Sequence, residues 1–315
     1  MMKEIGLFLV LACFWNLENY YHPSDDPQTA DEDFTPAGSY HWTYGRFNKK
    51  RDDIAKTILS IRDYYDSYPA LIGFAEVENR QVLRELVEKT PLAALEYEVI
   101  HRDSPDRRGI DVGMLYRKTD FRPLAVKSIP LKVHLQERDS ILATRTILYV
   151  KGILYGKDSI HLFINHWPSK RGGGEVANRN RMIASNTLKH YVDSLLFIDK
   201  NAKILAMGDL NDGVESEAVS NIDNLINLAK SRAESAGAKG SYKYKESWEL
   251  IDHLMVSPQM VAGELKPQMR IFSGKLLVED SIYLGMKPLR TYSGPRYLGG
   301  VSDHLPLLLV YPQGQ

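Results

Sequence analysis

The stretch ILAMGDLND, residues 204–212, is an apolar run that ends in carboxylates and an amide. A short apolar run bounded by turn residues reads as a buried strand. Charge is rarely buried without a partner, so the end of the run needs an explanation. Two readings compete. Asn211-Asp212-Gly213 is strong turn chemistry, and the acids can be ordinary turn residues after a strand. Alternatively, Asp209 and Asn211 point from a strand end into a site. In an extended chain these two side chains face the same way, with Leu210 facing the packed side and Asp212-Gly213 forming the turn.

The same grammar recurs along the chain. FWNLEN (14–19) brings Asn16 to the end of an apolar run. GFAEVEN (73–79) ends in Glu76 and Glu78. FINHWPS (163–169) ends in Asn165 and His166. In ELIDHLMVS (249–257) period two puts Leu250, Asp252, Leu254 and Val256 on one face, which leaves a carboxylate among core residues. GGVSDHLPLLLV (299–310) sets Asp303-His304 directly before a buried strand. Each has an ordinary reading alone: Asn16 or Asp303 caps a turn, Glu76 is a surface acid, His166 is a core histidine. Those readings leave the repetition unexplained. Strand ends are where an α/β scaffold gathers catalytic groups.

The bulk composition narrows the function classes. With 315 residues, 40 Lys+Arg against 40 Asp+Glu and zero formal net charge, the chain as a whole does not advertise a nucleic-acid binder. Any basic surface is local: Lys49-Lys50-Arg51, Arg107-Arg108, Lys170-Arg171 and Lys243 with Lys245, each first read as a solvated face. The single cysteine, Cys13, excludes an internal disulfide and a multi-thiolate zinc site. No apolar stretch is long enough to span a membrane as a helix. The N-terminus resembles a signal peptide, with Lys3 before an apolar run and VLAC (10–13) like a lipoprotein cleavage box. Leu9 to Asn16 reads better as a first strand, because cleavage at Cys13 leaves almost no strand before Asn16. The strand reading goes with a cytoplasmic protein, the signal reading with a secreted or lipid-anchored one.

Ile54, Ile58, Ile61 and Tyr65 predict a helix over 46–65, and further helices are predicted over 81–89, 175–197 and 221–238. Short strands fall between them. The polar segment 22–39 reads as a surface loop, and the glycines at 172–174 as a flexible one. With no repeat and no long linker, residues 1–315 are expected to form one α/β domain. Glu, Asp and Asn offer hard oxygen ligands that suit Mg²⁺ or Mn²⁺. Two histidines and a buried Asp suit charge stabilisation at a phosphate. No P-loop, dinucleotide fingerprint or GxSxG elbow is present.

Taken in order, FWNLEN, GFAEVEN, RGIDVGMLYR (108–117), NHWPSKRGG (165–173), MGDLND (207–212), ELIDHLMVS and VSDHLPL (301–307) resemble the motif series of the endonuclease/exonuclease/phosphatase superfamily. That superfamily includes pancreatic-type deoxyribonuclease, exonuclease III, inositol polyphosphate 5-phosphatases and sphingomyelinases. The resemblance runs from about residue 14 to 311. It implies a four-layer α/β sandwich of two packed mixed β-sheets flanked by α-helices, and a Mg²⁺-dependent phosphoester hydrolase with Mn²⁺ as a substitute. It implies that Glu76 is the principal metal ligand, with Asn16 and Asp303 as companions. Asp209 then orients or deprotonates the attacking water, and Asn211 is its partner at the phosphate. His304 contacts the phosphate and is held by Asp252; His166 is the second histidine. Arg145 stands where a phosphate-contacting arginine often lies, and Asp111 supports His166 or lines the site. Ala75 departs from the family's usual Gln.

On substrate, an endonuclease-type phosphodiesterase acting on nucleic acid is expected first. Lys170-Arg171 lies beside His166, and Tyr242 and Tyr244 interleave with Lys243 and Lys245; tyrosines stack on bases and lysines meet phosphates. An ordinary alternating strand explains the same pattern. The alternative is a lipid or small-molecule phosphoester of inositol phosphate or sphingomyelin type. A monomer without stable membrane insertion is expected.

Overall fold

Alternate residues of the strand Lys203–Asp209 pack into two different cores. Leu205 and Met207 join a core with Phe14, Phe74 and Met114, whereas Ile204 and Ala206 join a second core with Ala184, Leu188 and Val192. A strand covered on both faces needs apolar residues at successive positions, which explains why 204–207 reads as a continuous run. The computed structural model describes residues 8–134, 141–170, 174–231, 238–281 and 285–312.

Two six-stranded mixed sheets face each other. The first runs, from edge to edge, Gln268–Ile271, Leu307–Pro312, Phe8–Tyr20, Leu71–Val77, Asp111–Arg117 and Tyr97–His101. The second runs Ile226–Asn227, Asp252–Val256, Lys203–Asp209, Asp158–His166, Ile147–Leu154 and Phe121–Ile129. Each has a parallel pair at its centre: Phe8–Tyr20 with Leu71–Val77, and Lys203–Asp209 with Asp158–His166. The sheets approach closely at Gly73, where a Cβ would lie 2.9 Å from Met207 Cε. Phe8–Tyr20 is longer than the 9–16 strand expected and is a central strand, hydrogen-bonded on both sides.

Helices cover the outer faces. Tyr44–Tyr65 buries Phe47, Ile54, Ile58 and Ile61, and the Thr43 side chain accepts the Arg46 N–H at its start. Gly174–Ile198 lays Ala184, Leu188 and Val192 on the second sheet. Arg80–Glu88 follows the Leu71–Val77 strand and is capped by Asn79. The four-layer arrangement is thus sheet on sheet with helices outside. The helix expected over 221–238 is not formed in its described part. Instead the chain makes a short strand, Ile226–Asn227, and a 3-10 turn, Leu228–Ser231. Pairing with Asp252–Val256 satisfies this backbone, and tertiary pairing overrides the local pattern. Residues 232–237, Arg171, Gly172 and Gly173 lie outside the described residues.

Candidate active site

Register builds the site. Asp209 pairs with His166 on one side and with Asp252 on the other, so three neighbouring strands of the second sheet end in one row of functional side chains. Gly208, one residue earlier, lies against Asn165, whose backbone oxygen would sit 2.5 Å from an added Cβ. The row therefore needs a glycine just before Asp209.

The first sheet contributes through broken register. Asn16 pairs with Ala75 and Tyr20 with Val77, so Leu17, Glu18 and Asn19 bulge opposite Glu76. On its other side Ala75 pairs with Val112 and Val77 with Asp111, which leaves Glu76 unpaired. Glu18, Asn19 and Glu76 all adopt positive φ, of 47°, 56° and 59°. Such backbone costs on the order of 1 kcal/mol or more per non-glycine residue and clusters at functional sites. A bulge re-aims its side chain. Here it turns Glu76 toward the second sheet. Glu76 Oε1 accepts from Asn16 Nδ2 at 3.1 Å, and Oε2 accepts from the Asn19 N–H at 2.9 Å. Asn16 Nδ2 also donates to Asp209 Oδ2 at 3.0 Å, which ties the two sheets together. His166 Nε2 stands 3.9 Å from Glu76 and 3.8 Å from Asp209.

His304 enters from the opposite side. Its Nδ1 meets Asp252 Oδ2 at 2.8 Å, and its Nε2 lies 4.0 Å from Asp209 and 3.9 Å from Asp303. Trp15 Nε1 donates to the His304 carbonyl at 2.9 Å, so the core fixes the histidine backbone. Burial opposes charge on His304, but Asp252, then Asp209 and Asp303, outweigh it and hold the imidazolium well above the ordinary range. Burial, then Asp252, push Asp209 up to about 7, against the pull of His304, the Asn211 N–H and Asn16. His166 is held neutral, well below the ordinary range, by burial and then by Arg145, Arg108 and His304. Its Nδ1 has no hydrogen-bond partner among the described residues.

Some expected positions sit differently. Asn211 does not extend the strand. It adopts φ 51°, its N–H bonds Asp209 Oδ1 at 2.9 Å, and its Nδ2 donates to the Trp167 carbonyl at 3.0 Å. The carboxylate captures the next turn's backbone, and an extended-chain argument cannot foresee that local competition. Asp212 is more than a turn residue: Arg181, 3% exposed, donates to its Oδ2 at 3.0 Å. Asp111 faces His101 at 3.4 Å and accepts the Ser104 N–H, rather than supporting His166. Asn165 is a packing residue that accepts from Trp167 Nε1 at 3.2 Å. Arg145 is buried, with Nε on Asp106 at 3.3 Å and an Nη on the Trp167 carbonyl at 3.5 Å. Lys170 pairs with Glu249 at 3.3 Å. Tyr244 is exposed and carries Lys245 over its ring, whereas Tyr242 is the tyrosine packed near His304, ring centroids 5.0 Å apart.

Sequence reasoning did not single out the support of Asp303. Arg290 reaches Asp303 Oδ2 at 2.5 Å and lies 3.5 Å from Glu18. Glu18 Oε2 in turn accepts the Thr291 N–H at 2.6 Å, and the buried Lys50 donates to the Glu18 carbonyl at 2.6 Å and to Thr291 Oγ1 at 2.8 Å. Burial, then Asp303, push Glu18 up to about 7; burial pulls Lys50 down to about 8 against Glu18. Glu18 inside FWNLEN and Lys50 inside the basic cluster 49–51 were the available signal.

The donor set fits a hard divalent cation. Carboxylates of Asp209, Asp252 and Asp303 surround His304, Glu76 and Asp209 both lie near His166, and Asp252 adds to burial in raising Asp209. Asp209, Asp252 and His304 each offer a ligand atom within 4.8 Å of the others. Glu76 is the more accessible carboxylate, its side chain 21% exposed against 3% for Asp209. Asn16 meets the site through its Nδ2, because its Oδ1 accepts the Glu18 N–H; an oxygen contact to a cation requires the amide to turn over.

Known proteins share this architecture. A mannosyl-6-phosphatase of Bacteroides thetaiotaomicron aligns over 96% of this chain and 98% of its own, with TM-score 0.60 and 15% identity. TDP2 of Caenorhabditis elegans, in truncated form, aligns over 99% and 100%, with TM-score 0.58 and 15% identity. D. rerio TDP2 complexed with single-strand DNA product aligns over 98% and 100%, with TM-score 0.56 and 14% identity. At such identities the likeness is one of fold. No protein of curated function matches the chain. A family model described as "Endonuclease/Exonuclease/phosphatase family" matches residues 11–312, and the chain belongs to that family.

Proposed function

We propose that the protein is a Mg²⁺-dependent phosphoester hydrolase that works by in-line attack of water. The reading is carried by one observation: the neutral His166, the cationic His304 and Asp209 face one another between two sheet ends, with Glu76 beside them. A cation held by Glu76, with Asp303 and Asn16 as companions, supplies polarisation of a phosphate oxygen and stabilisation of the leaving oxygen when bound; Mn²⁺ is the expected substitute. Asp209 orients the attacking water and accepts its proton, a task suited to a carboxylate raised to about 7. His304, fixed by Asp252, donates from Nε2 to the charge that builds on the non-bridging oxygens. His166 and the Asn211 amide complete the wall around the phosphate, and Arg145 adds positive field from behind the Trp167 carbonyl.

For substrate we infer nucleic-acid phosphodiesters first. Tyr242 packs near His304, and Tyr244, two residues on in the same strand, is exposed for stacking. A second reading, a small phosphoester, has its own support. Lys170 is paired with Glu249, and Lys243 is spent on the Met286 carbonyl at 2.9 Å and over the Trp248 ring, so fewer cations remain for a long polyanion. A Mg²⁺-supplemented panel of plasmid DNA, RNA, inositol phosphates, sphingomyelin and a chromogenic bis-phosphodiester tests both. Turnover of none of them overturns the hydrolase reading. Turnover of inositol phosphates or sphingomyelin with intact DNA and RNA replaces the first substrate reading with the second.

A further inference from the structure

Asp106 holds two arginines. Its Oδ2 accepts from Arg145 Nε at 3.3 Å; its Oδ1 accepts the Arg108 backbone N–H at 3.0 Å and lies 3.5 Å from Arg108 Nε. One carboxylate cannot neutralise two guanidinium groups, so positive charge remains. The two arginines differ in access: the Arg145 and Asp106 side chains are each 8% exposed, whereas Arg108 is 49% exposed. The pair adjoins the candidate active site. Arg145 reaches the Trp167 carbonyl, the same oxygen that accepts from Asn211, and Trp167 follows His166 in the chain. The loop carrying Arg108 is pinned. Tyr21 Oη donates to the Arg108 carbonyl at 2.8 Å, the Ala30 N–H donates to the Arg107 carbonyl at 2.8 Å, and Gly109 turns the chain with φ 64° against Thr29. The charge of Arg108 is also felt at His166 and Arg145, lowering both.

We infer that Asp106, Arg108 and Arg145 form a phosphate-binding arm of the site, in which the exposed Arg108 guanidinium grips non-bridging oxygens of the substrate phosphate. Asp106 is its positioning residue. The inference rests on the phosphoester reading above. A guanidinium presents paired N–H groups that match two phosphate oxygens, and a lysine supplies only a point charge. The exposed, half-paired Arg108 has donors to spare, whereas Arg145 is committed to Asp106 and a backbone carbonyl.

The test measures binding of inorganic phosphate to the full chain in Mg²⁺, together with kcat and KM on the best substrate of the panel. Arg108→Ala is expected to weaken phosphate binding and raise KM by about tenfold or more, as loss of a charged hydrogen bond does, with a smaller effect on kcat. Arg108→Lys should recover only part of the loss. Asp106→Asn should shift phosphate binding and KM in the same direction, with its melt recorded separately. Arg107→Ala removes the same charge from the neighbouring exposed position and is expected to change neither by more than about twofold, as an exposed charge does. Equal weakening in Arg107→Ala and Arg108→Ala, or phosphate binding unaffected by Arg108→Ala, overturns the arm. So does a wild-type protein that binds no phosphate. A wild-type protein that binds phosphate through Arg108 but hydrolyses no phosphoester supports the arm and overturns the hydrolase reading instead.

Discussion

Asp209→Asn and Asp212→Asn separate the two readings of GDLND, because neighbouring acids in one motif are given opposite jobs. Asp209 is buried at the row of strand ends, raised to about 7 against an ordinary 3.8. Loss of a general base costs roughly 10²–10⁴ in turnover, which is about 3–5 kcal/mol of barrier. Its effect on stability has the opposite sign. The folded-state pKa is raised, so between about 4 and 7 the native protein binds more protons than the unfolded chain. Stability of the metal-free protein therefore falls as pH rises through that window. Three units correspond to on the order of 4 kcal/mol of unfavourable burial at pH 8. Asparagine removes that cost but sets its amide against Asn16 Nδ2, a donor facing a donor, which returns about 1–3 kcal/mol. In EDTA at pH 8, Asp209→Asn should thus melt at or above the wild-type temperature, and its relative advantage should shrink at pH 5. Asp212→Asn leaves the buried Arg181 without its carboxylate. Breaking a buried pair costs about 3–5 kcal/mol, reduced here because Asp212 is 19% exposed. Its melting temperature should fall by several degrees while turnover per folded molecule stays within about threefold of wild type, since no reacting group is touched. The assay is a melt in EDTA at both pH values and a rate on the best substrate, for each purified variant. Equal, modest rate losses in both variants would refute the reasoning and return GDLND to an ordinary turn.

Further outcomes follow from the same contacts. Asp252→Asn removes the carboxylate 2.8 Å from His304 Nδ1, so the His304 pKa should drop, measurable by NMR titration, and turnover should fall by roughly 10²-fold or more. Trp15→Phe removes the Nε1–H bond to the His304 carbonyl and opens a small cavity in a fully packed site; a loss of about 1–3 kcal/mol in denaturant unfolding is expected, with a smaller fall in kcat. Arg290→Ala should weaken the Mg²⁺ dependence curve more than it lowers the melt, because Asp303 loses its 2.5 Å partner while the Lys50–Thr291 contact survives.

The strand ends were legible because they obey a simple rule: an apolar run followed by a polar side chain that no core tolerates unpaired. Those runs became strands of two sheets, and the order of the motifs pointed to the family that the chain belongs to. What stayed hidden depends on register. Nothing in GFAEVEN says that Glu76 bulges out of its ladder, because period-two reading assumes unbroken pairing, and positive φ at a glutamate carries no sequence signal. Asn211 was read as extended for the same reason. Asp106 was overlooked because its buried partner, Arg145, is brought to it by the fold from 39 residues away. In its described part the helix expected at 221–238 gave way because a neighbouring strand offered the backbone at Ile226–Asn227 a better set of hydrogen bonds. Lys170 and Lys243 looked like free cations in a linear reading, while the fold gives each an internal partner.

The most direct measurement is turnover of the chromogenic bis-phosphodiester, or of the best natural substrate, by wild type and Glu76→Gln across a Mg²⁺ titration that starts from full chelation. The wild-type rate should vanish in EDTA and return with Mg²⁺ or Mn²⁺. Glu76→Gln keeps the side-chain shape but removes a charge from a hard-cation site, so its rate should be lower by orders of magnitude and its Mg²⁺ requirement higher. Wild-type activity that survives chelation, restoration by Zn²⁺ alone, or a Glu76→Gln titration that overlays the wild-type one would contradict a cation held at Glu76.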